Sequence, residues 1–110
     1  MDPTRKKRLA KAGWRVGTAR EFLGLSPSEA ALLELKLALA TELRRRREKE
    51  GLTQAKLARR LASSQSRVAK MEAGDPTVSL DLLVRGLLGL GATVRDLART
   101  IEASRRRPAA

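Results

Sequence analysis

The chain of 110 residues contains no cysteine, no histidine and no tyrosine, and its aromatic residues are one tryptophan and one phenylalanine. Without thiols and imidazoles it lacks disulfides, the commonest nucleophiles and bases, and the usual zinc ligands. Its acidic residues are scattered beside basic ones, as in surface ion pairs, and no glycine-rich phosphate loop follows a strand. We therefore expect no enzymatic activity, no catalytic residue, no metal and no cofactor.

The sequence also lacks an apolar run of about 18 residues, which argues against a transmembrane helix. Its basic N-terminus is not followed by the apolar stretch of a secretory signal. We expect a cytoplasmic protein with no membrane partner.

Positive charge dominates what is present. Lysine and arginine number 24 against 12 acidic residues, a formal net charge of +12. A bias of this size indicates a nucleic acid or another acidic partner. Apolar residues make up 42% of the chain, mostly leucine and alanine, and aromatic residues 2%. This composition predicts an all-α fold, and the length allows one domain.

Residues 52–74 predict two short helices joined by a sharp turn. Thr53 and Ser64 are good N-caps, one for each helix, because a hydroxyl accepts from the free backbone N–H groups of a first turn. Val68 and Met71 are three residues apart and define the buried side of the second helix. Glycine and proline after this helix end it.

The opposite side of the second helix is small and polar, and it carries cations. Such a face can approach base edges in the major groove of DNA closely, where glutamine pairs with adenine and arginine or lysine with guanine. We predict that Gln65, Ser66 and Lys70 read bases. Ser64 and the free N–H groups at the helix start would hold a phosphate, and Arg67 would contact a phosphate or a neighbouring guanine.

The same segment matches a family motif. The matching residues are Leu52-Thr53-Gln54, Leu57-Ala58, Leu61, Ser64, Ser66, Val68, Met71-Glu72 and Gly74. The segment thus resembles the helix-turn-helix, at residues 53–73, of the lambda-repressor/Cro-like (XRE) family. That family usually has a glycine and an apolar residue in the turn, where this chain has Ala62-Ser63.

The resemblance implies a five-helix DNA-binding domain in a transcriptional repressor that binds a palindromic operator in double-stranded DNA as a homodimer. It also implies that Gln54 contacts the DNA backbone and braces Gln65. At most two residues of the arginine run 44–47 can face one DNA strand, since consecutive residues point to different sides of a helix. We assign this contact to Arg44 and Arg45.

Outside the motif, capping signals and apolar spacing predict three more helices. A capping box at Ser26 and Glu29 begins a helix that ends at residue 49, and another helix covers residues 80–88. A last helix begins near Thr93. The first of these helices has an apolar stripe, widened by further apolar residues, so its second apolar face is either buried against residues 13–25 or a protein interface. The stripe consists of Leu32, Leu35, Leu39 and Leu43, widened by Leu33, Leu37 and Ala40. The apolar residues predicted to face inward are Leu80, Leu83, Val84 and Leu87 in the next helix, and Val94, Leu97, Ala98 and Ile101 in the last. The expected organisation is a basic, partly helical N-terminal extension at 1–25, the DNA-binding domain at 26–103 and a disordered basic tail at 104–110.

A second, looser resemblance involves Trp14-Arg15-Val16-Gly17, Phe22-Leu23-Gly24-Leu25 and residues 34–40. These stretches resemble HigA-like antitoxins of type II toxin–antitoxin systems, which repress their own operon and neutralise RelE-like RNase toxins. The resemblance implies a toxin partner held by Trp14, Phe22 and Leu23. Three alternatives stay open: residues 13–25 form a structural lid, the protein is a stand-alone XRE-family repressor, or it binds nucleic acid non-specifically through charge alone.

Overall fold

A computed structural model of the chain describes residues 24–106. This part of the chain is entirely helical and contains no strand. Its helices are α1 (Pro27–Lys49), α2 (Gln54–Arg60), α3 (Gln65–Glu72), α4 (Leu80–Gly89) and α5 (Val94–Arg106). The predicted all-α, five-helix fold is confirmed. The N-terminal extension, including Trp14, Phe22 and Leu23, lies outside the described residues.

Each helix begins where a short polar side chain can cap it. At α1 the Ser26 hydroxyl accepts from the Glu29 backbone N–H at 3.2 Å, and the Glu29 carboxylate accepts from the Ser26 N–H at 3.1 Å. This reciprocal pair is the predicted capping box, and it satisfies two donors that the first turn leaves free. The other caps follow the same rule, with Thr53 before α2, Ser64 before α3, Ser79 before α4, and Thr93 with Asp96 before α5.

The core is aliphatic and lies between the second half of α1 and the four shorter helices. α1 packs against α3, α4 and α5, and α2 packs against α3. The largest side chains that are completely buried come from four helices; they are Leu39, Leu43, Leu57, Val68, Met71, Leu83 and Leu87. Because α1 touches three other helices, it fixes where α3 and α4 lie relative to each other.

The middle of α1 also contacts the loop that follows α3. Gly74 has a φ of +70°, and a Cβ at this position would lie 2.7 Å from the Leu37 side chain. Lys36 Nζ donates to the Pro76 carbonyl oxygen at 3.3 Å. Glycine is favoured here because L side chains rarely adopt this left-handed backbone conformation.

Two predicted inward positions are wrong. Val94 is 76% exposed, and Ala98 is also exposed. Leu32, in the apolar stripe of α1, is 43% exposed. In α5 the stripe that packs on the core consists of Leu97 and Ile101, four residues apart. Ala98 is rotated by about 100° from Leu97 and therefore leaves that stripe. Val94 opens the helix beyond the edge of the core.

The last helix also runs further than predicted. α5 extends to Arg106, three residues past the expected end of the domain at residue 103. The Ser104 hydroxyl donates to the Ile101 carbonyl oxygen at 2.7 Å. Arginine is a good helix former, so the basic composition that indicated a tail is equally compatible with a helical end.

Candidate nucleic-acid interface

α2 and α3 form a helix-turn-helix whose turn contains a backbone conformation that alanine disfavours. After α2 the chain reverses at Ala62, which has a left-handed φ of +53°. The Ser63 N–H then donates to the Ala58 carbonyl oxygen at 2.7 Å. Its buried hydroxyl has no hydrogen-bond partner within the described part of the chain. The turn of the motif is thus kept, although alanine is strained at a positive φ and a polar atom is buried without a bond.

The face of α3 that points away from the core is the one that the sequence predicted. Val68 and Met71 are buried with 0% and 1% exposure, which turns the opposite side of the helix to solvent. Gln65, Ser66 and Lys70 are all exposed on that side, with Gln65 as the first residue of α3. The three predicted base-reading residues therefore lie on one exposed surface.

α3 and the start of α4 form the two walls of an open cleft, which we call the α3–α4 cleft. The loop 75–79 and the first two turns of α4 supply the wall opposite α3. The lining residues are Ser64, Ser66, Arg67, Lys70, Thr77, Val78, Ser79, Asp81, Leu82 and Arg85. Four of the predicted DNA contacts, Ser64, Ser66, Arg67 and Lys70, are thus brought together.

The electrostatics of this cleft favour an anion. Arg67 and Lys70 make no ion pair within 4 Å with any described residue, although the Asp75 carboxylate is near enough to Lys70 for a Coulombic interaction. Arg85 adds a third cation on the opposite wall and pairs with Asp81 at 3.0 Å. The free backbone N–H groups at the starts of α3 and α4 add partial positive charge. The cleft therefore combines cations, helix starts and small side chains.

Gln54 has a structural partner that the sequence did not predict. Its Nε2 donates to Glu72 Oε1 at 3.2 Å, and Arg47 binds the same carboxylate through two nitrogens, with Nη2 at 3.0 Å from Oε1. Arg47 also donates to the Leu52 carbonyl oxygen at 2.8 Å. The Glu72 side chain is only 4% exposed. This cluster, Arg47–Glu72–Gln54, ties the end of α3 to the end of α1 and the start of α2.

The hydrogen bonds with Glu72 raise the pKa of the Arg47 guanidinium, while burial lowers it and the nearby charges of Glu72 and Glu48 raise it further. No local pattern joins two residues 25 positions apart, so sequence reasoning did not detect the pair.

Arg44 and Arg45 lie apart from the α3–α4 cleft. Arg44 Nε pairs with Glu48 at 2.9 Å on the exposed surface of α1. Arg45 pairs with Glu42 at 2.7 Å and lines a groove between α1 and α5. Hydrogen bonding to Glu42 raises the pKa of Arg45. The structure therefore does not place these two predicted backbone contacts with the others.

Sequence reasoning missed the four polar residues of the opposite wall, namely Thr77, Ser79 as a lining residue, Asp81 and Arg85. Ser79 was identified only as a cap. The only hint of Arg85 in the sequence is its spacing of four residues from Asp81, which suggests an ion pair on one face of a helix.

Among residues 24–106 no group of three or more acidic side chains is placed to hold a metal ion. None of the helices described there has the length and apolar content that crossing a bilayer requires.

Five helices, a helix-turn-helix and a cationic cleft beside its second helix define the class as a DNA-binding helix-turn-helix protein. The comparison with family models agrees: a model described as "Helix-turn-helix domain" matches residues 38–100, more than half of the chain. The chain belongs to this helix-turn-helix domain family. The match supports an XRE-like protein, and such families are typically non-enzymatic. Searches of curated proteins and of solved structures found no match.

Proposed function

We propose that the protein is a sequence-specific DNA-binding transcriptional regulator that inserts α3 into the major groove. Gln65, Ser66 and Lys70 then read base edges, and Ser64 and Arg67 hold phosphates. The observation that supports this proposal best is that neither Arg67 nor Lys70 forms an ion pair within 4 Å in the described chain and that both lie beside small residues. Unpaired cations on a closely approachable face suit a duplex better than they suit protein packing.

The wall opposite α3 would contact the adjacent backbone. Ser79 offers a hydroxyl, α4 offers its free N–H groups, and Arg85 offers a guanidinium if it leaves Asp81. The Thr77 hydroxyl already donates to Asp75 Oδ1 at 2.6 Å. Gln54 can still take part, because its amide nitrogen has two protons and Glu72 uses one of them. Arg44 and Arg45 would have to leave their carboxylates to reach DNA, so we assign them a smaller contribution.

A domain of this size covers a short DNA segment. We propose that two copies bind a palindromic operator, with half-sites about 34–36 Å apart as in related motifs. Sedimentation of the complex with a duplex carrying one or two half-sites measures the stoichiometry. One protein per full site would contradict the dimer.

The direct test is selection of bound duplexes from a randomised library, followed by titration of the selected duplex and a scrambled one at fixed salt. We expect a preference of about a thousandfold for the selected duplex. Equal affinity for all duplexes would leave charge-driven, non-specific binding as the function.

The chain has two glutamines, which provide a matched pair of variants. Gln65→Ala should lower affinity for the selected duplex by about 1–3 kcal/mol and relax the preference at one base pair. Gln54→Ala should weaken binding to both duplexes alike, because Gln54 supports the Arg47–Glu72–Gln54 cluster and not a base contact. An unchanged preference in Gln65→Ala would show that another residue reads that base.

We further propose that the regulator is the cytoplasmic antitoxin of a type II pair, which represses its own operon and neutralises a RelE-like RNase toxin. The support is the resemblance of residues 14–17, 22–25 and 34–40 to HigA-like antitoxins. The exposed Leu32 and the half-buried Leu33 and Leu35 give α1 an apolar surface next to Glu34. Trp14, Phe22 and Leu23 are the residues to which the resemblance assigns the toxin contact.

Co-expression with the protein encoded by the neighbouring reading frame tests the antitoxin role. Growth arrest by the neighbour alone and recovery with this protein would support it. Trp14→Ala and Phe22→Ala should abolish recovery while leaving operator binding intact. A harmless neighbour would leave a stand-alone repressor as the function.

A further inference from the structure

Asp81 is the only carboxylate among the described residues that line the α3–α4 cleft. Its Oδ2 lies 3.0 Å from Arg85 Nε, one helical turn further along α4. Both side chains are open to solvent, with exposures of 72% and 76%. The pair therefore occupies the surface that an incoming DNA strand would meet.

The position of Asp81 disfavours phosphate binding in two ways. Its carboxylate holds the guanidinium of Arg85, the one cation on this wall of the cleft among the described residues. It also lies in the first turn of α4, where free N–H groups and the positive end of the helix dipole would otherwise attract an anion. A phosphate can use Arg85 only if it displaces Asp81 and tolerates a like charge nearby.

We propose that Asp81 is a positioning residue that limits DNA affinity by holding Arg85 away from the phosphates. The inference rests on the proposed function, because it requires that DNA enters the α3–α4 cleft. Phosphate contacts carry no direct sequence information. Asp81 therefore weakens binding to the operator and to unrelated duplexes by the same factor, and the specificity ratio does not depend on it.

The test is a titration of the full chain, by fluorescence anisotropy, with a selected duplex and a scrambled duplex at several salt concentrations. Asp81→Asn should bind both duplexes about two- to fivefold more tightly at low salt, as expected for release of an exposed ion pair. The gain should shrink as salt rises, because exposed charges are screened. Asp81→Glu, which keeps the charge one turn from Arg85, should bind like the wild type.

Structural damage cannot imitate this result, because a partly unfolded variant binds DNA less tightly. In the Asp81→Asn background, Arg85→Gln should weaken binding and reduce the slope of log affinity against log salt by about one, because Arg85 is then free to contact a phosphate. In the wild-type background the same substitution should change both quantities less, because Asp81 already holds Arg85. In the Arg85→Gln background, Asp81→Asn should give a smaller gain than it gives alone. If Asp81 only repelled the phosphates, its removal would give the same gain with or without Arg85. A smaller gain without Arg85 shows that Asp81 acts by positioning the guanidinium.

Glu48→Gln is the matched control. Glu48 pairs with Arg44 at 2.9 Å with the same spacing of four residues, and it lies outside the cleft. The substitution changes the net charge by the same amount, and we expect a smaller gain in affinity. Equal gains from both variants, no gain from Asp81→Asn, a gain that ignores Arg85, or a changed specificity ratio would each overturn the proposal. A wild-type protein that binds neither duplex would instead overturn the proposed function.

Discussion

Two basic regions of this molecule use their charge differently. In the arginine run 44–47 every guanidinium is paired with a carboxylate: Arg44 with Glu48, Arg45 and Arg46 with Glu42, Arg46 also with Asp96, and Arg47 with Glu72. On α3, Arg67 and Lys70 have no such partner within the described residues. The run is the denser basic cluster in sequence, yet its cations are engaged in the fold.

The difference shows that basic density in a sequence does not by itself locate a DNA-binding surface. A guanidinium that already bonds a carboxylate must exchange that partner for a phosphate, whereas an unpaired one needs no exchange. The neighbours matter as well: Ser64 and Ser66 beside Arg67 and Lys70 permit close approach. We therefore expect substitutions in the run to act mainly on stability and substitutions on α3 to act mainly on binding.

The largest effect should come from Arg47. Arg47→Ala leaves the almost buried Glu72 carboxylate with only the Gln54 amide, and an uncompensated buried charge is expensive. We expect the free energy of unfolding to fall by about 3–5 kcal/mol, measured by urea denaturation. Arg44→Ala, which breaks an exposed pair, should change it by about 0.5 kcal/mol or less. Similar losses of unfolding free energy in both variants would contradict the difference between the buried Arg47–Glu72 pair and the exposed Arg44–Glu48 pair.

Lys70 should show the reverse pattern. Lys70→Ala should cost about 1–3 kcal/mol in operator affinity, because it removes a predicted base contact, while the unfolding free energy stays nearly constant. Arg44→Ala and Arg45→Ala should cost less affinity than Lys70→Ala, as measured in the same titration. If either arginine variant loses as much affinity as Lys70→Ala, the paired run is also at the DNA and the comparison fails.

A substitution in the turn before α3 should stabilise the protein. Ala62 has a φ of +53°, and glycine adopts this conformation without the steric cost of a Cβ. Ala62→Gly should raise the unfolding free energy by about 0.5–1 kcal/mol, measured by thermal or urea denaturation. Gly51→Ala makes the opposite change at a φ of +70° with no atom near the new Cβ, and it should destabilise by a similar amount. Destabilisation by Ala62→Gly would mean that the turn does not store this strain.

The smallest effect should be the dependence of stability on pH through Glu42. Hydrogen bonding from Arg45 is the main cause that lowers the pKa of Glu42 below its ordinary value of 4.5; burial opposes this effect, and Arg46 adds to it. A lowered folded-state pKa stabilises the fold above about pH 4.5, and this contribution is lost as the pH falls through the folded-state value. Denaturation between acidic and neutral pH should show a contribution of about 1 kcal/mol or less that is missing in Glu42→Gln. Identical pH profiles would contradict a stabilising role for this carboxylate.

The sequence by itself determined the local structure of the five helices. Ser26, Thr53, Ser64 and Ser79 cap helices where a hydroxyl precedes an apolar stripe, because a cap needs only residues two or three positions away. The same local logic places Val68 and Met71 inside and Gln65, Ser66 and Lys70 outside, since one buried stripe on a short helix fixes its exposed face. For this reason the exposed side of α3 could be inferred from the sequence.

Only the tertiary structure decided how the helices share their charged residues and where the core ends. Arg47 and Glu72 meet although they are 25 positions apart, and Arg85 reaches the cleft because α4 lies beside α3. The inward assignment of Val94 and Ala98 is wrong because the spacing of apolar residues gives a helical face but not the extent of the core that covers it. Caps and apolar stripes depend on neighbours within a few residues along the chain, whereas ion pairs and burial depend on the packing of separate helices.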